Sequence, residues 1–229
     1  SGWNVEEDGL IGAPPLTVLA GEHVHASMVK ALRLAGLGRG RAQRIPADDQ
    51  GRMDVAALRR DLADVSGPVL VCAQAGDVNS GAFDDLAEIA ASVRERPATW
   101  LHIDGAFGLW AAASPTRAHL LEGHDRADSW ATDAHKWLNV PYDSGLVIVA
   151  DAAPLRAAMS MKASYLQRGA DEDRVGMDWV PESSRRARVL PLYALIRTLG
   201  RDGIADLCAL IGYYTAVSTA MKLHKVTAE

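Results

Sequence analysis

The chain has 229 residues with 24 basic and 29 acidic side chains, a net charge of -5 that is interspersed and forms neither a basic patch for nucleic acid nor an acidic tail. Hydrophobic residues make up 48% of it, enough for one good-sized core, and no apolar run is long enough to span a membrane. Cys72 and Cys208, the only cysteines, read as reduced thiols of a cytoplasmic protein, and "SGWNVEEDGL" has nothing of a secretory signal.

Taken in order, "PLTVLAG" predicts a strand, "ASMVKALRLAGLG" a helix closed by Gly36 or Gly38, and "MDVAALRRDL" a second helix. "PVLVCAQ" follows as a buried strand, and "DDLAEIAASVRER" as a helix with Asp84 as its N-cap. "TWLHIDGA" and "GLVIVA" are further strands, and Ser129 to Thr132 is a small, β-compatible run. Strands alternating with helices imply an α/β fold, a mainly parallel sheet with helices on both faces. Ligands of such sheets bind at the carboxyl ends of the strands.

The polar residues collect at that edge. Asp104 ends "TWLHID", "AGDVNSGAF" follows "PVLVCAQ", His25 follows "PLTVLAG", and Asp133, His135 and Lys136 follow Ser129 to Thr132. Lys136 is followed by Trp137, Leu138, Val140 and Pro141. A lysine there either lays its stem on apolar surface with its head in water, or is desolvated so that its amine attacks a carbonyl. A lysine and a carboxylate sharing one crevice suit pyridoxal 5'-phosphate: the amine holds the cofactor as a Schiff base and the carboxylate keeps the pyridine nitrogen protonated. Gly105 and Ala106 leave room for a flat ring.

The segments "HIDGAFGLW", "DSWATDAHKWLNVPYDSG", "AQAGDVNSGAFDDLAEI" and "SSRRARVLPLYALIRTLGRDGI" resemble the pyridoxal-phosphate-dependent group II amino-acid decarboxylases. The resemblance runs from about Gly12 to about Asp206, and its most specific part is "DAHKW" paired with the upstream "HIDGAFG". It implies the large domain of fold-type I enzymes, aspartate aminotransferase-like, and conversion of an amino acid to its amine and carbon dioxide. Lys136 then anchors the cofactor and Asp104 partners the pyridine nitrogen. Ala106 touches one ring face and His25 stacks on the other. His135 and Asp133 fall where family members contact the phosphate, although a carboxylate there repels phosphate unless it is protonated or turned away. Asn79 and Ser80 supply donors near the cofactor. Tyr165, in the Gly-, Ser- and charge-rich segment from 159 to 179, falls at the place of the lid tyrosine that returns a proton to the α-carbon.

The resemblance also implies a homodimer, and the helix "RRARVLPLYALIRTL" is apolar around enough of its circumference to need burial on more than one side. It divides the chain into residues 1–206, a large domain lacking the family's upstream Gly- and Ser-rich phosphate loop, and residues 207–229, a helical tail cut before the small domain. The substrate is a small-molecule amino acid, with aromatic ones the first expectation. A fragment that keeps the fold without catalysis is the alternative. A metal-dependent hydrolase using His23, His25, His102 and Asp104 is a further one, but the remaining ligands have no recognisable spacing, and no metal site is assigned.

Overall fold

The computed structural model describes residues 2–161, 176–184, 186–200, 202–204 and 206. Its elements run α1 (Val5–Asp8), β1 (Thr17–Gly21), α2 (Ala26–Leu34), β2 (Ala42–Ile45), α3 (Val55–Asp64), β3 (Val69–Gln74), α4 (Leu86–Arg94), β4 (Thr99–Asp104), β5 (Ser129–Asp133), α5 (Ala134–Trp137), β6 (Gly145–Val149) and α6 (Ala152–Met159), with short 3-10 turns between β4 and β5. A further helix, α7, covers residues 189–200.

The strands form one sheet in the order β2-β1-β3-β4-β5-β6. The first five are parallel, and β6 runs antiparallel to β5. The connection from Asp133 to Gly145 is shorter than the dozen or so residues a parallel crossover needs, so the chain turns back instead. Every earlier pair is joined through a helix or a longer excursion, and each strand therefore delivers its carboxyl end to the same edge.

Alternation along the strands feeds two cores. Leu19, Val69, Val71, Ala73, Leu101 and Ile103 pack with Leu58, Leu62, Leu86 and Ile89 of α3 and α4. Val18, Ala20 and Cys72 point the other way and pack with Leu32 of α2. This face also carries Trp100, His102 and Asp104, the odd-numbered partners of that alternation being the fully buried Leu101 and Ile103.

Local chemistry explains the element ends. Helix α2 closes as a Schellman motif: the Gly36 N–H donates to the Arg33 carbonyl and the Leu37 N–H to that of Leu32, with Gly36 at φ 76°. Asp54 caps α3 by accepting the N–H groups of Ala56 and Ala57. For α4 the expectation of an Asp84 cap is corrected, because Asp85 accepts from the Glu88 N–H. Asp84 lies 8% exposed and accepts the Met53 N–H on one oxygen and the Gln74 N–H on the other, each at 2.7 Å. Strand β2 has no counterpart in the sequence pattern: "AQRI" is short, polar at its centre and exposed there, as suits an edge strand.

Among the described residues, no helix is long and apolar enough to cross a membrane. Cys72 is a free, buried thiol, pushed up to about 12 by burial and by the nearby charge of Asp104. Cys208 and the tail from 207 lie outside the described residues.

Candidate active site

Asp104 and Asp133 both end strands at the carboxyl edge. Asp104 stands beside Ala131 in the register, and Asp133 lies two residues farther along β5 on the same face. Beyond Asp104 the chain makes a tight turn whose glycines are set by packing. A Cβ on Gly105 would lie 2.6 Å from the Leu109 Cβ, and one on Gly108 only 2.3 Å from the Ala75 carbonyl oxygen. The room expected at Gly105 for a flat ring is thus taken up by Leu109. Thr132 ties β5 to the turn by donating its hydroxyl to the Gly105 carbonyl at 2.9 Å.

Asp104 is half-buried; its Oδ1 accepts the Ala106 N–H at 3.1 Å, while Oδ2 takes no protein hydrogen bond among the described residues. One oxygen therefore remains for a ligand donor. Ala106, half-buried at the next turn position, presents only a methyl group.

Lys136 lies in α5, the single helical turn that follows β5. Its Nζ is 2.9 Å from Asp133 Oδ2 and 4.1 Å from the centroid of the Phe107 ring, with the side chain 24% exposed. The sequence pointed to an amine among apolar neighbours; the structure adds a carboxylate partner and a cation–π contact. His135 is oriented from both sides. Its Nδ1 accepts the Ser144 N–H at 3.0 Å, its ring packs 4.2 Å from that of Tyr142, and its Nε2 is 3.9 Å from Asp133 Oδ2. A backbone N–H can only donate, so Nδ1 is the acceptor nitrogen and the N–H is on Nε2.

Three expected residues do other work here. His25 is the exposed N-cap of α2, its Nδ1 accepting the Ser27 N–H at 3.2 Å and lying 2.8 Å from the Ser27 hydroxyl. Asn79 and Ser80 are exposed, and both of their N–H groups and the Ser80 hydroxyl point to Asp77 Oδ1 at 2.8 to 3.0 Å. Tyr165 lies outside the described residues. His102 is half-buried with Nδ1 2.8 Å from the Ser129 hydroxyl, and its desolvation holds it below the ordinary imidazole range against the pull of Asp104. Among the described residues no group of three or more His, Cys, Asp or Glu is placed to hold a metal ion.

Asp77 and Phe107 were not singled out by the sequence. Asp77 is 6% exposed, and its Oδ2 is buried without a partner among the described residues. Burial pushes its carboxyl up, but the Ser80 and Asn79 donors and the nearby His23 outweigh this and hold it below its ordinary value. The Asp-x-Asn-Ser spacing of an Asx turn was the available signal. Asp77 also lines an open cleft of about 1090 Å³, whose far wall includes Phe107, Trp110 and Trp137 and so reaches the ring beneath Lys136.

A lysine and a carboxylate on one face of a mostly parallel sheet, at the edge where its strands end, match the large domain of fold-type I pyridoxal-phosphate decarboxylases. The structure aligns with mouse CSAD in apo form at a TM-score of 0.79 and 30% identity, over 89% of this chain and 43% of that one. It aligns with Oryza sativa TDC bound to PLP and tryptamine at 0.78 and 29%, over 87% and 42%. The family model described as the pyridoxal-dependent decarboxylase conserved domain matches residues 6–215, and the chain belongs to that family. It is 35% identical to the L-2,4-diaminobutyrate decarboxylase of Rhizobium meliloti, over 91% of this chain and 43% of that protein. It is 33% identical to the cysteine sulfinic acid decarboxylase of Rattus norvegicus, over 87% and 42%. The chain thus spans less than half the length of these relatives.

Proposed function

We propose that the chain carries the cofactor-binding centre of a pyridoxal-phosphate-dependent decarboxylase acting on a small amino acid. The observation that carries the reading is the placement of Lys136 and Asp104 on one face and one edge of the sheet, within a chain of this family. The donor set suits the cofactor. Lys136 supplies a primary amine, which holds an aldehyde as a Schiff base and releases it to another amine by exchange. Asp104 offers a free oxygen to the pyridine N–H, while its other oxygen is fixed by Ala106. Ala106 keeps the floor beside that carboxylate low. When bound, the cofactor supplies an electron sink for the bond broken at the α-carbon.

His25, whose Nδ1 caps α2 through the Ser27 N–H, is the ring-stacking residue of this reading, and its Nε2 takes no part in that cap. His135, with its Nε2–H directed by the Ser144 contact, is the best-oriented phosphate donor of the expected residues. The relatives act, by their names, on diaminobutyrate, cysteine sulfinic acid and aromatic amino acids, so the side-chain preference is left to a substrate panel. Self-association through α7 is part of the same reading: Leu192 is buried against Leu138 and Val140, while Val189, Tyr193 and Ile196 on its outer side are 63%, 58% and 45% exposed. Sedimentation at micromolar concentration tests this, and a stable monomer counts against it.

The chain, expressed with pyridoxal 5'-phosphate, is expected to show a visible imine band that borohydride abolishes, leaving a reduced adduct on the peptide containing Lys136. Carbon dioxide release is then measured with diaminobutyrate, cysteine sulfinate, glutamate and aromatic amino acids. An adduct without turnover supports the non-catalytic alternative. Absence of any adduct at Lys136, or a single-site adduct that persists in Lys136→Ala, refutes the assignment.

A further inference from the structure

We propose that Asp133 is a positioning residue for Lys136: a counter-ion that parks the lysine ammonium on the Phe107 ring whenever the amine is not bonded to a carbonyl, rather than a contact for the cofactor's phosphate. The proposal rests on Lys136 being the cofactor lysine.

The first ground is what the Asp133 side chain declines to do. Asp133 occupies the N-cap position of α5, where an aspartate ordinarily accepts a backbone N–H of the first turn. Asp54, Asp85 and Asp151 all do so at their helices. Asp133 makes no such bond and reaches the side chain of the residue three positions on, with Oδ2 at 2.9 Å from Lys136 Nζ.

The second ground is that the ammonium is held at two points. Phe107, from the turn after Asp104, places its ring centroid 4.1 Å from Nζ on another side of the same group. A lysine tip is rich in rotamer entropy, and fixing it by a carboxylate and a ring makes sense where the tip must return to one place. That return is required when a substrate amine displaces Lys136, because an amine left loose can attack the same carbon again. The strand register leaves space for the pair: Asp133 faces Gly145 on β6, where even a Cβ would stand 3.5 Å from Oδ1.

The third ground is charge. A carboxylate paired with an ammonium has no proton to give a phosphate oxygen and repels it. Among the described residues, the titratable groups around this pair are His135 of α5, whose Nε2 is 3.9 Å from Asp133 Oδ2, and Asp104 at the end of the neighbouring strand. His135 can donate to phosphate from the same turn, which frees Asp133 for the lysine.

The test is aldehyde capture by the full chain. Capture at Nζ sends one ammonium proton to solvent, joins nitrogen to the carbonyl carbon and expels the carbonyl oxygen as water with the two remaining amine hydrogens; the imine nitrogen then takes a proton from solvent and cyanoborohydride delivers hydride to the imine carbon, fixing it as a secondary amine. Adduct at Lys136 is followed by peptide mass spectrometry from neutral to alkaline pH with two reagents, pyridoxal and pyridoxal 5'-phosphate. Asp133→Asn is expected to speed capture at neutral pH by about tenfold, because the amide no longer pairs with the ammonium. The factor should be equal for both reagents, because the carboxylate acts on the amine. Asp133→Glu should return the rate toward native, and Phe107→Leu should act in the same direction as Asp133→Asn but more weakly, which covers the case in which Asp133→Asn fails to fold. An unchanged profile in both Asp133→Asn and Phe107→Leu overturns the proposal, as does a change confined to the phosphorylated reagent. A native chain that forms no adduct at Lys136 instead removes the lysine assignment, and this proposal with it.

Discussion

Replacing Asp84 by alanine tests how the crevice wall is held. The carboxylate is 8% exposed and binds the Met53 and Gln74 N–H groups, joining the segment after β2 to the end of β3. Met53 is 4% exposed and its methyl group would contact a Cβ at Gly21, so the same pin reaches the end of β1. Alanine leaves two buried donors unsatisfied at about 1 to 3 kcal/mol each, or about 2 to 6 kcal/mol together. Part of this is offset, because burial raises the Asp84 pKa against the pull of the Met53 and Gln74 donors, with Asp48 and Asp77 adding to the rise. A net loss of about 2 to 4 kcal/mol is therefore expected in urea unfolding followed by tryptophan fluorescence. Asp84→Asn should fall between alanine and native, since an amide keeps one acceptor and turns an NH2 toward the other donor. Faster hydrogen exchange at the Met53 and Gln74 amides would locate the damage. A loss below about 0.5 kcal/mol for Asp84→Ala, the range of ordinary surface substitutions, would refute this account of the pin.

Gly108→Ala puts a methyl group 2.3 Å from the Ala75 carbonyl oxygen, where backbone and not a flexible side chain must yield, and should cost about 1 to 3 kcal/mol in the same assay. Gly145→Ala, whose methyl would meet Asp133 Oδ1 at 3.5 Å, is the matched control and should stay within about 0.5 kcal/mol of native. The Asp77 carboxyl is held below its ordinary 3.8, burial opposing and the Ser80, Asn79 and His23 interactions prevailing. Its stabilisation is present above that value and lost as pH falls through the lower folded one, so Asp77→Asn should flatten the acid limb of a stability–pH curve. Asp84, whose pKa is raised, has the opposite sign: it favours folding when protonated, and this contribution is lost as pH rises through the raised value, a dependence that Asp84→Asn should remove. Asp104→Asn should lower turnover by about tenfold to a hundredfold, the worth of one charge-assisted hydrogen bond, while leaving the urea midpoint near native; near-normal turnover in an active preparation would exclude the pyridine-nitrogen role.

Much of the architecture was legible in the chain itself because it is written in local rules. Alternating and continuous apolar runs marked β1, β3, β4 and β6, and helical spacing marked α2, closed by Gly36, and α3. Once the strands are parallel, chain direction alone brings Asp104, Asp133 and Lys136 to one edge. What local rules could not supply were the pairings. Whether Asp84 or Asp85 caps α4 depends on Met53, distant in sequence, which claims the Asp84 carboxylate. The reversal of β6 and the presence of β2 depend on which edge each strand finds, not on residue preference. The same holds at the centre of the site. The sequence identifies Lys136 as an amine among apolar neighbours with Asp133 three residues before it, but that Asp133 turns to the ammonium instead of capping α5, and that the Phe107 ring arrives from the turn after β4, is decided only in the fold. Hydrophobic period is a property of neighbours along the chain; electrostatic partnership is a property of neighbours in space, and only the folded sheet brings these together.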